Sequence, residues 1–161
     1  MSMEKYNKIH FIGIGGISMS SLAEILKSKG KTITGSDGVA SNVTKALENI
    51  GIQVSIGQKA ENITPDTDLI VYTAAVREDN PELMAARASG IETVDRAALV
   101  GMMMLEYKFP LSVAGTHGKT TTSSLVTEIF LEAKANPTVS IGGILPSIKG
   151  NYKVGLSLIH I

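Results

Sequence analysis

The sequence predicts an α/β fold in which helices cover a parallel sheet. Short β-rich apolar segments alternate with segments whose apolar residues recur at helical spacing, over about the first 105 residues. Glycines stand at many of the junctions, where the chain must turn sharply between a strand and a helix. Apolar residues make up 43% of the chain and charged residues 19%, so the chain is able to form a buried core.

The first strand and the first helix flank a glycine-rich turn. Residues 9–14 form an apolar run that stops at glycine, as a buried parallel strand does before its loop. The next apolar residues recur at i, i+3, i+4 and i+7, which predicts a helix; they are Met19, Leu22, Ala23 and Leu26. Gly30 is placed to end this helix in a left-handed conformation. These segments form one β-loop-α unit.

The same alternation continues as far as residue 105. Further strands are predicted at residues 31–35, 52–56, 69–74 and 92–94. Apolar residues at helical spacing over 43–50 predict the second helix. Asn80-Pro81 is a cap followed by proline at the first helical position, which predicts a third helix ending at Gly90. A fourth helix is expected to begin at Asp95-Arg96. Consecutive β-α units of this kind are typical of a Rossmann-like domain, whose binding sites lie beyond the carboxyl ends of the strands.

A second, shorter region follows. Residues 106–110 interrupt the pattern with charge, aromatic residues and proline, so we place a domain boundary after residue 106. The alternation then restarts with a strand at 111–114, a helix from 119 to about 135 and a strand at 138–141. This helix has an apolar face that the remaining strands are too few to cover; it consists of Leu125, Val126, Ile129, Phe130 and Ala133. We therefore expect a fragment of a longer protein, with the second domain incomplete.

Composition excludes several classes of partner and site. Fifteen basic and fifteen acidic residues cancel, so nucleic acid and membrane surfaces are not expected as partners. The chain has no cysteine for disulfides or thiolate metal sites, and its three histidines are too widely separated to suggest a zinc site. No apolar run approaches the roughly 20 residues of a bilayer span, and residues 1–8 are too polar for a signal peptide. A cytoplasmic location is expected, and the sequence predicts no oligomeric state.

The first glycine-rich turn is a candidate phosphate site. In the turn Gly13-Ile14-Gly15-Gly16-Ile17-Ser18, glycines allow backbone N–H groups to approach a diphosphate, and the helix N-terminus adds partial positive charge. Asp37 lies about 20 residues after Gly15, at the end of the second predicted strand, where it could accept hydrogen bonds from a ribose or base. Ser18 replaces the third glycine of the dinucleotide fingerprint. A purely structural turn is the alternative, in which Asp37 is a turn residue.

The second glycine-containing turn has the composition of a P-loop. Residues 115–121 read GTHGKTT, again between a predicted strand and a helix. Backbone N–H groups there can bind phosphates, Lys119 can neutralise the β and γ phosphates, and the Thr120 hydroxyl can ligate Mg²⁺. The spacing departs from the strict pattern, because Ala114 stands where that pattern has its first glycine. A capped, exposed helix start is the alternative, and we assign no direct role to His10 or His160.

These two turns and their neighbours resemble the Mur ligase family. Residues 10–19, HFIGIGGISM, look like the opening strand and UDP-binding turn of that family, and residues 34–37, TGSD, like the end of its second strand. Residues 72–81 resemble its fourth-strand loop. The most specific match is VAGTHGKTTT at residues 113–122, which is similar to the ATP loop and includes His117. The resemblance spans roughly residues 8–155.

The resemblance implies a function in peptidoglycan synthesis. Such an enzyme joins L-alanine to UDP-N-acetylmuramate: ATP first phosphorylates the muramate carboxylate, and the alanine amine then displaces phosphate from the acyl phosphate. It uses ATP and Mg²⁺. Residues 1–106 would form the Rossmann-like domain that binds the UDP-sugar, and residues 107–155 the truncated start of the central P-loop ATPase domain.

The resemblance also assigns roles to individual residues. Lys119 would be the catalytic residue that stabilises the transferring phosphoryl group, and Thr120 would hold the metal. The ATP-binding residues would be Gly115, Thr116, His117, Gly118, Lys119, Thr120 and Thr121. The UDP-sugar-binding residues would be Gly13, Gly15, Gly16, Ile17, Ser18, Asp37 and Thr73.

The sequence departs from the family in two places. Gln58 stands where the family commonly has a histidine near the uracil. Residues 156–161 do not resemble the family, and we exclude them from the fold as a non-native tail. The remaining catalytic residues of the family are absent, so we expect the fragment to be inactive. Two alternatives stay open, a nicotinamide-dependent Rossmann oxidoreductase and a non-catalytic nucleotide-binding module.

Overall fold

The computed structural model describes residues 3–155 completely and the backbone of residues 157–160. Its first sheet has five strands in the order β3-β2-β1-β4-β5, and all of its strand pairs are parallel. The strands are β1 (Lys8–Ile12), β2 (Thr32–Asp37), β3 (Gln53–Ile56), β4 (Leu69–Tyr72) and β5 (Glu92–Asp95). The helices that join them are α1 (Ile17–Ser28), α2 (Asn42–Asn49) and α3 (Pro81–Ala88), and α4 (Arg96–Met104) follows β5. The α/β prediction is confirmed.

The core of this part lies on both faces of the sheet. Alternate residues of β1 point to opposite faces, so Ile9 and Phe11 join the larger cluster while Ile12 joins the smaller one. The larger cluster includes buried residues of α1, α2 and α4, and the smaller cluster includes Leu83 of α3. Because helices cover both faces, β1 and β4 are buried along nearly their whole length.

Local signals in the sequence set the helix ends. The Asn80 side chain caps α3 by accepting hydrogen bonds from the backbone N–H groups of Glu82 (3.0 Å) and Leu83 (3.2 Å). Asp95 caps α4 through a 2.7 Å bond from the N–H of Ala98. Gly30 has a φ of +86°, as expected for a residue that ends a helix in the left-handed region. The predicted caps and terminators are therefore confirmed.

A second sheet has the strand order β6-β9-β7-β8. It contains β6 (Leu111–Ser112), β7 (Pro137–Leu145), β8 (Gly150–Lys153) and β9 (Ser157–His160), with α5 (Lys119–Glu132) between β6 and β7. Strand β6 is shorter than predicted, and β7 extends beyond residue 141 to pair with β8, a strand that we did not predict. The pairing shifts register between Ser140 and Leu145, so Gly142 and Gly143 mark an irregularity within the strand rather than its end.

The final segment corrects one expectation. We excluded residues 156–161 from the fold, whereas the backbone of Ser157–His160 forms β9 and pairs in parallel with β6 and β7. A ladder of backbone hydrogen bonds requires no family resemblance in the side chains, which explains why the resemblance did not predict it. Residues 156 and 161 lie outside the described part, and the non-native origin of the tail stays a prediction.

Helix α5 leaves much of its predicted apolar face exposed. Leu125 is 61% exposed and Ile129 is 65% exposed, whereas the residues of α5 that are fully buried are Ser123 and Thr127. The described part of the chain thus lacks the elements that would cover this face, as the sequence analysis expected. In the residues that the structure describes, each helix falls short of the length and apolarity that a bilayer crossing would need.

Candidate functional site

The first glycine-rich turn connects β1 to α1, and the protein itself uses four of its N–H groups, including that of Gly16, which donates to the carbonyl of Gly13 at 3.4 Å. Gly13 and Ile14 donate to the carbonyl of Ser36 at 2.8 and 2.9 Å, and Gly15 donates to Oδ2 of Asp37 at 2.9 Å. A Cβ on Gly15 would lie 2.7 Å from that Oδ2, so only glycine permits this close approach. The other oxygen of Asp37 accepts from the N–H of Val39 at 3.2 Å. Asp37 therefore holds the turn against β2, and its contact with a ligand stays a prediction.

The N–H groups that remain for a ligand are those of the first turn of α1. Ile17 is exposed and Ser18 is half-buried, and among the described residues their backbone N–H groups donate to no acceptor. Nη1 of Arg96 donates to the Ser18 hydroxyl at 3.2 Å, which adds a guanidinium to the positive end of the helix. Arg96 was not predicted as a site residue. The available signal was its position directly after β5, at the same edge of the sheet as the turn.

An open cleft of about 560 Å³ extends from this turn along the carboxyl ends of the strands. Four of the predicted UDP-sugar-binding residues line it, namely Gly13, Gly16, Asp37 and Thr73. Gly15, Ile17 and Ser18 are not among its lining residues, although they belong to the same turn. The loop after β4 forms much of the wall: a Cβ on Gly13 would lie 2.6 Å from Cγ2 of Thr73. The structure thus brings together the segment after β1 and the segment after β4, which are about 60 residues apart in the sequence. They meet because β1 and β4 are parallel neighbours, so their carboxyl ends lie at the same edge of the sheet.

Gln58 and Asn80 form part of the same cleft. Nδ2 of Asn80 donates to Oε1 of Gln58 at 2.6 Å, which joins the loop after β3 to the start of α3. Gln58 departs from the family pattern in the sequence, whereas Asn80 was predicted only as a helix cap.

The second turn, residues 115–121, is exposed along its whole length. Gly118 has a φ of +76° and occupies the position before the first residue of α5. No hydrogen bond in the described part of the chain uses the backbone N–H groups of residues 115–121 as donors. Nζ of Lys119 contacts the carbonyl oxygens of Gly115 and Thr116. The turn therefore combines free N–H donors at a helix N-terminus with an ammonium group held over it, an arrangement that suits a polyphosphate.

Comparison with known proteins decides the family. The family model described as "Mur ligase family, catalytic domain" matches residues 8–108. The chain belongs to the Mur ligase family. It is 58% identical over 147 residues to UDP-N-acetylmuramate–L-alanine ligase of Agathobacter rectalis, covering 91% of this chain and 32% of that protein. Identity to the protein of the same name from Acetivibrio thermocellus is 54%, covering 94% of this chain and 32% of the relative.

Solved structures agree with this result. The crystal structure of UDP-N-acetylmuramate–alanine ligase from Thermotoga maritima matches with a TM-score of 0.85 and 37% identity, over 95% of this chain and 36% of that one. A UDP-N-acetylmuramate:L-alanyl-γ-D-glutamyl-meso-diaminopimelate ligase from Neisseria meningitides matches with a TM-score of 0.87 and 26% identity, over 96% of this chain and 52% of that one. This Mur ligase chain spans about a third of the length of the curated relatives it matches. Membership of the family favours a ligase over the nicotinamide-dependent oxidoreductase.

A buried polar cluster lies next to the cleft of this Mur ligase. Glu82, at the second position of α3, is fully buried, and its two oxygens contact His10 Nε2 and the Ser36 hydroxyl, each at 2.7 Å. The second ring nitrogen of His10 lies 2.8 Å from Oγ1 of Thr34. Every member thus has a partner, as burial of polar groups requires. The cluster ties β1 and β2 to the start of α3, directly after the cleft residues Asn80 and Pro81.

The metal prediction rests on one side chain. Among the described residues, no group of three or more His, Cys, Asp or Glu side chains is placed to hold a metal ion. Thr120 is exposed at the start of α5 and offers a hydroxyl oxygen, the kind of hard ligand that Mg²⁺ accepts. Because Mg²⁺ in phosphate sites binds few protein ligands besides phosphates and waters, the residues present fit such an ion without forming a complete site.

Proposed function

We propose that the protein to which this chain belongs uses ATP to join L-alanine to UDP-N-acetylmuramate, with the cleft binding the UDP-sugar and the second turn binding ATP. The observation that carries the proposal is the 58% identity to a relative of that name over 91% of this chain. Two separate phosphate-binding turns on one chain support it, because a ligase of this kind needs one site for each nucleotide. The same function places the protein in the cytoplasm, where ATP and the nucleotide sugar occur.

The diphosphate would lie at the edge of the cleft, where the lining residue Gly16 leads into the first turn of α1. There the free N–H groups of Ile17 and Ser18 and the guanidinium of Arg96 provide positive potential. The nucleoside would extend from the turn towards Asp37 and Gln58, which line the rest of the cleft. Residues 1–106 would thus act as the domain that binds and orients the sugar nucleotide.

At the second turn, the free N–H groups of residues 115–121 would bind the phosphates of ATP. Lys119 would move from the carbonyl oxygens of Gly115 and Thr116 to the more negative phosphate oxygens and stabilise the charge of the transferring phosphoryl group. Thr120 would ligate Mg²⁺, which when bound neutralises phosphate charge. The muramate carboxylate accepts the phosphoryl group with release of ADP, and the alanine amine then displaces phosphate to form the amide.

Titration calorimetry with the isolated chain tests the first half of the proposal. We expect UDP-N-acetylmuramate to bind, and Arg96→Ala to weaken binding by about tenfold because a charged hydrogen bond to phosphate is lost. Arg87→Ala is the matched control, since Arg87 pairs with Glu78 outside the cleft and its loss removes the same charge. A folded chain that binds NADH but not UDP-N-acetylmuramate would contradict the proposal. No ligation is expected from the isolated chain.

A further inference from the structure

Two parts of the cleft lining come from distant segments of the chain. The turn wall consists of Gly13 and Gly16 of the glycine-rich turn and Asp37 at the end of β2. The helix wall is the start of α3, where Asn80 and Pro81 line the cleft. A ligand that extends from the turn along the cleft contacts both walls. Its affinity therefore depends on how the helix wall is placed relative to the turn wall.

Apolar packing alone does not fix the helix wall at one position. The buried apolar residues of α3, Leu83 and Ala86, belong to one cluster with Ile12 and Ile70 of the sheet. Apolar contacts hold a helix against a sheet, but they are not directional, so they allow small shifts along the surface. A hydrogen bond, in contrast, requires a particular distance and angle between its atoms. Exact placement of the helix wall therefore needs polar contacts between α3 and the sheet.

Glu82 provides such contacts. It directly follows Pro81, it is fully buried, and its two carboxylate oxygens lie 2.7 Å from Nε2 of His10 and 2.7 Å from the hydroxyl of Ser36. His10 belongs to β1 and Ser36 to β2. One side chain thus joins the first turn of α3 to two neighbouring strands.

Ser36 connects the same carboxylate to the turn wall. Its hydroxyl donates to Glu82, and its backbone carbonyl accepts hydrogen bonds from the N–H groups of Gly13 and Ile14 at 2.8 and 2.9 Å. The next residue, Asp37, lines the cleft itself. A continuous path of hydrogen bonds therefore runs from the start of α3 through Glu82 and Ser36 to the glycine-rich turn.

Stability alone does not account for a buried carboxylate at this position. Moving a carboxylate out of water is unfavourable, and a well-packed apolar group of similar volume often stabilises a fold as well as a buried polar cluster does. What the Glu82 carboxylate adds is direction, because its two oxygens must meet partners on two strands at the same time. Such a contact determines one position of α3 on the sheet.

We propose that Glu82 is a positioning residue for the sugar nucleotide: its contacts with Ser36 and His10 fix the helix wall relative to the turn wall and so set the affinity of the cleft. This inference rests on the proposed function, because it takes UDP-N-acetylmuramate as the ligand that contacts both walls. Glu82 is fully buried and is not among the residues that line the cleft, so it acts through Asn80 and Pro81.

Two ligands of different length test this inference in NMR titrations of the chain. UDP-N-acetylmuramate reaches both walls, whereas pyrophosphate corresponds to the diphosphate alone and reaches only the turn wall. Ser36→Ala removes the hydroxyl that contacts Glu82 but keeps the backbone carbonyl that holds the turn. We expect this variant to weaken binding of UDP-N-acetylmuramate by about tenfold and to change pyrophosphate binding by less than about twofold, because only the helix wall moves.

Thr34→Val is the matched control. Thr34 lies on β2 at the other end of the same cluster, where its Oγ1 is 2.8 Å from Nδ1 of His10. The change also removes one hydroxyl and one hydrogen bond from the cluster, but it leaves Glu82 in contact with Ser36. It should lower the midpoint of urea denaturation, as Ser36→Ala does, and change the affinity for UDP-N-acetylmuramate by less than about twofold.

A pair of substitutions at Glu82 itself gives a second test. Glutamine keeps a carbonyl oxygen that can accept from the Ser36 hydroxyl, so Glu82→Gln should retain the affinity for UDP-N-acetylmuramate to within about threefold. Leucine has a similar size but no acceptor, so Glu82→Leu should weaken this binding as Ser36→Ala does and leave pyrophosphate binding nearly unchanged.

Three results would overturn this inference. They are an equal weakening of both ligands in Ser36→Ala, an equal loss of sugar-nucleotide affinity in Ser36→Ala and Thr34→Val, and unchanged affinity in both Ser36→Ala and Glu82→Leu. The first two would show that the cluster only stabilises the fold. In each case, binding of UDP-N-acetylmuramate to the unmodified chain would leave the proposed function intact. A folded, unmodified chain that does not bind this ligand would overturn the proposed function, and this inference with it.

Discussion

Replacing Glu82 with alanine removes the centre of the buried polar cluster. Glu82 is 0% exposed, and its two carboxylate oxygens are the partners of His10 Nε2 and the Ser36 hydroxyl. The variant leaves both groups without these partners in a region where water cannot readily replace them. Leaving a buried hydrogen-bonding group without its partner typically costs about 1–3 kcal/mol, and the variant leaves two such groups. We therefore expect a loss of about 2–6 kcal/mol of the free energy of unfolding.

Urea denaturation followed by circular dichroism measures this effect. For a slope of about 2 kcal/mol per molar urea, the midpoint should fall by about 1 M or more. Glu82→Gln should fall between the unmodified chain and Glu82→Ala, because glutamine keeps one acceptor for one of the two partners. The control is Asp66→Asn, which breaks a surface ion pair with Lys8 and should leave the midpoint nearly unchanged. If Glu82→Ala shifted the midpoint no more than this surface variant, the cluster would not stabilise the fold and the reasoning would be refuted.

Three further predictions concern the turns and the surface. Gly15→Ala places a Cβ 2.7 Å from Oδ2 of Asp37, so it should displace that carboxylate. We expect UDP-N-acetylmuramate binding, measured by calorimetry, to weaken by about tenfold. Gly38→Ala should not weaken binding, because the space around Gly38 is open. Equal effects of the two variants would contradict a role of the Gly15–Asp37 contact in binding. In the complete protein, Lys119→Ala should abolish ligation, measured by phosphate release, while UDP-N-acetylmuramate binding stays near normal. An equal loss of ligation and binding would contradict the separation of the two sites. Hydrogen bonds from Lys8 and Thr64 lower the pKa of Asp66 to about 2, so NMR should show its carboxylate still charged as the pH falls from 4 towards 2. Its contribution to stability should be lost progressively as the pH falls from the ordinary pKa of 3.8 through that lower pKa. Lys8→Ala should return the titration towards 3.8, and a midpoint that does not move would show that Lys8 is not the cause.

The sequence predicted the first sheet well because its signals are local. The apolar runs, the Asn80-Pro81 cap and the terminating glycines each depend on residues within a few positions of one another, and the structure confirms them. The second sheet was predicted less well. Strand β8 pairs with β7 across an irregularity at Gly142 and Gly143, whereas the predicted strand ended at residue 141.

The candidate site, too, was predicted only where its signals lie close together in the sequence. Both glycine-rich turns were evident from the sequence, because a strand, a turn and a helix start follow one another along the chain. Three side-chain hydrogen bonds of the site were not predicted, because their partners are 22, 78 and 22 residues apart in the sequence. They join Gly15 to Asp37, Arg96 to Ser18 and Asn80 to Gln58.

By itself, the sequence determined the alternation of strands and helices, the positions of the two turns and the family resemblance, because each depends on residue types at short spacing. Only the tertiary structure decided which N–H groups remain free for a ligand, which charges lie beside them and which way the amide of Gln58 faces. Those properties depend on distances between strand ends that the parallel sheet brings together, and no local pattern of residues specifies such distances.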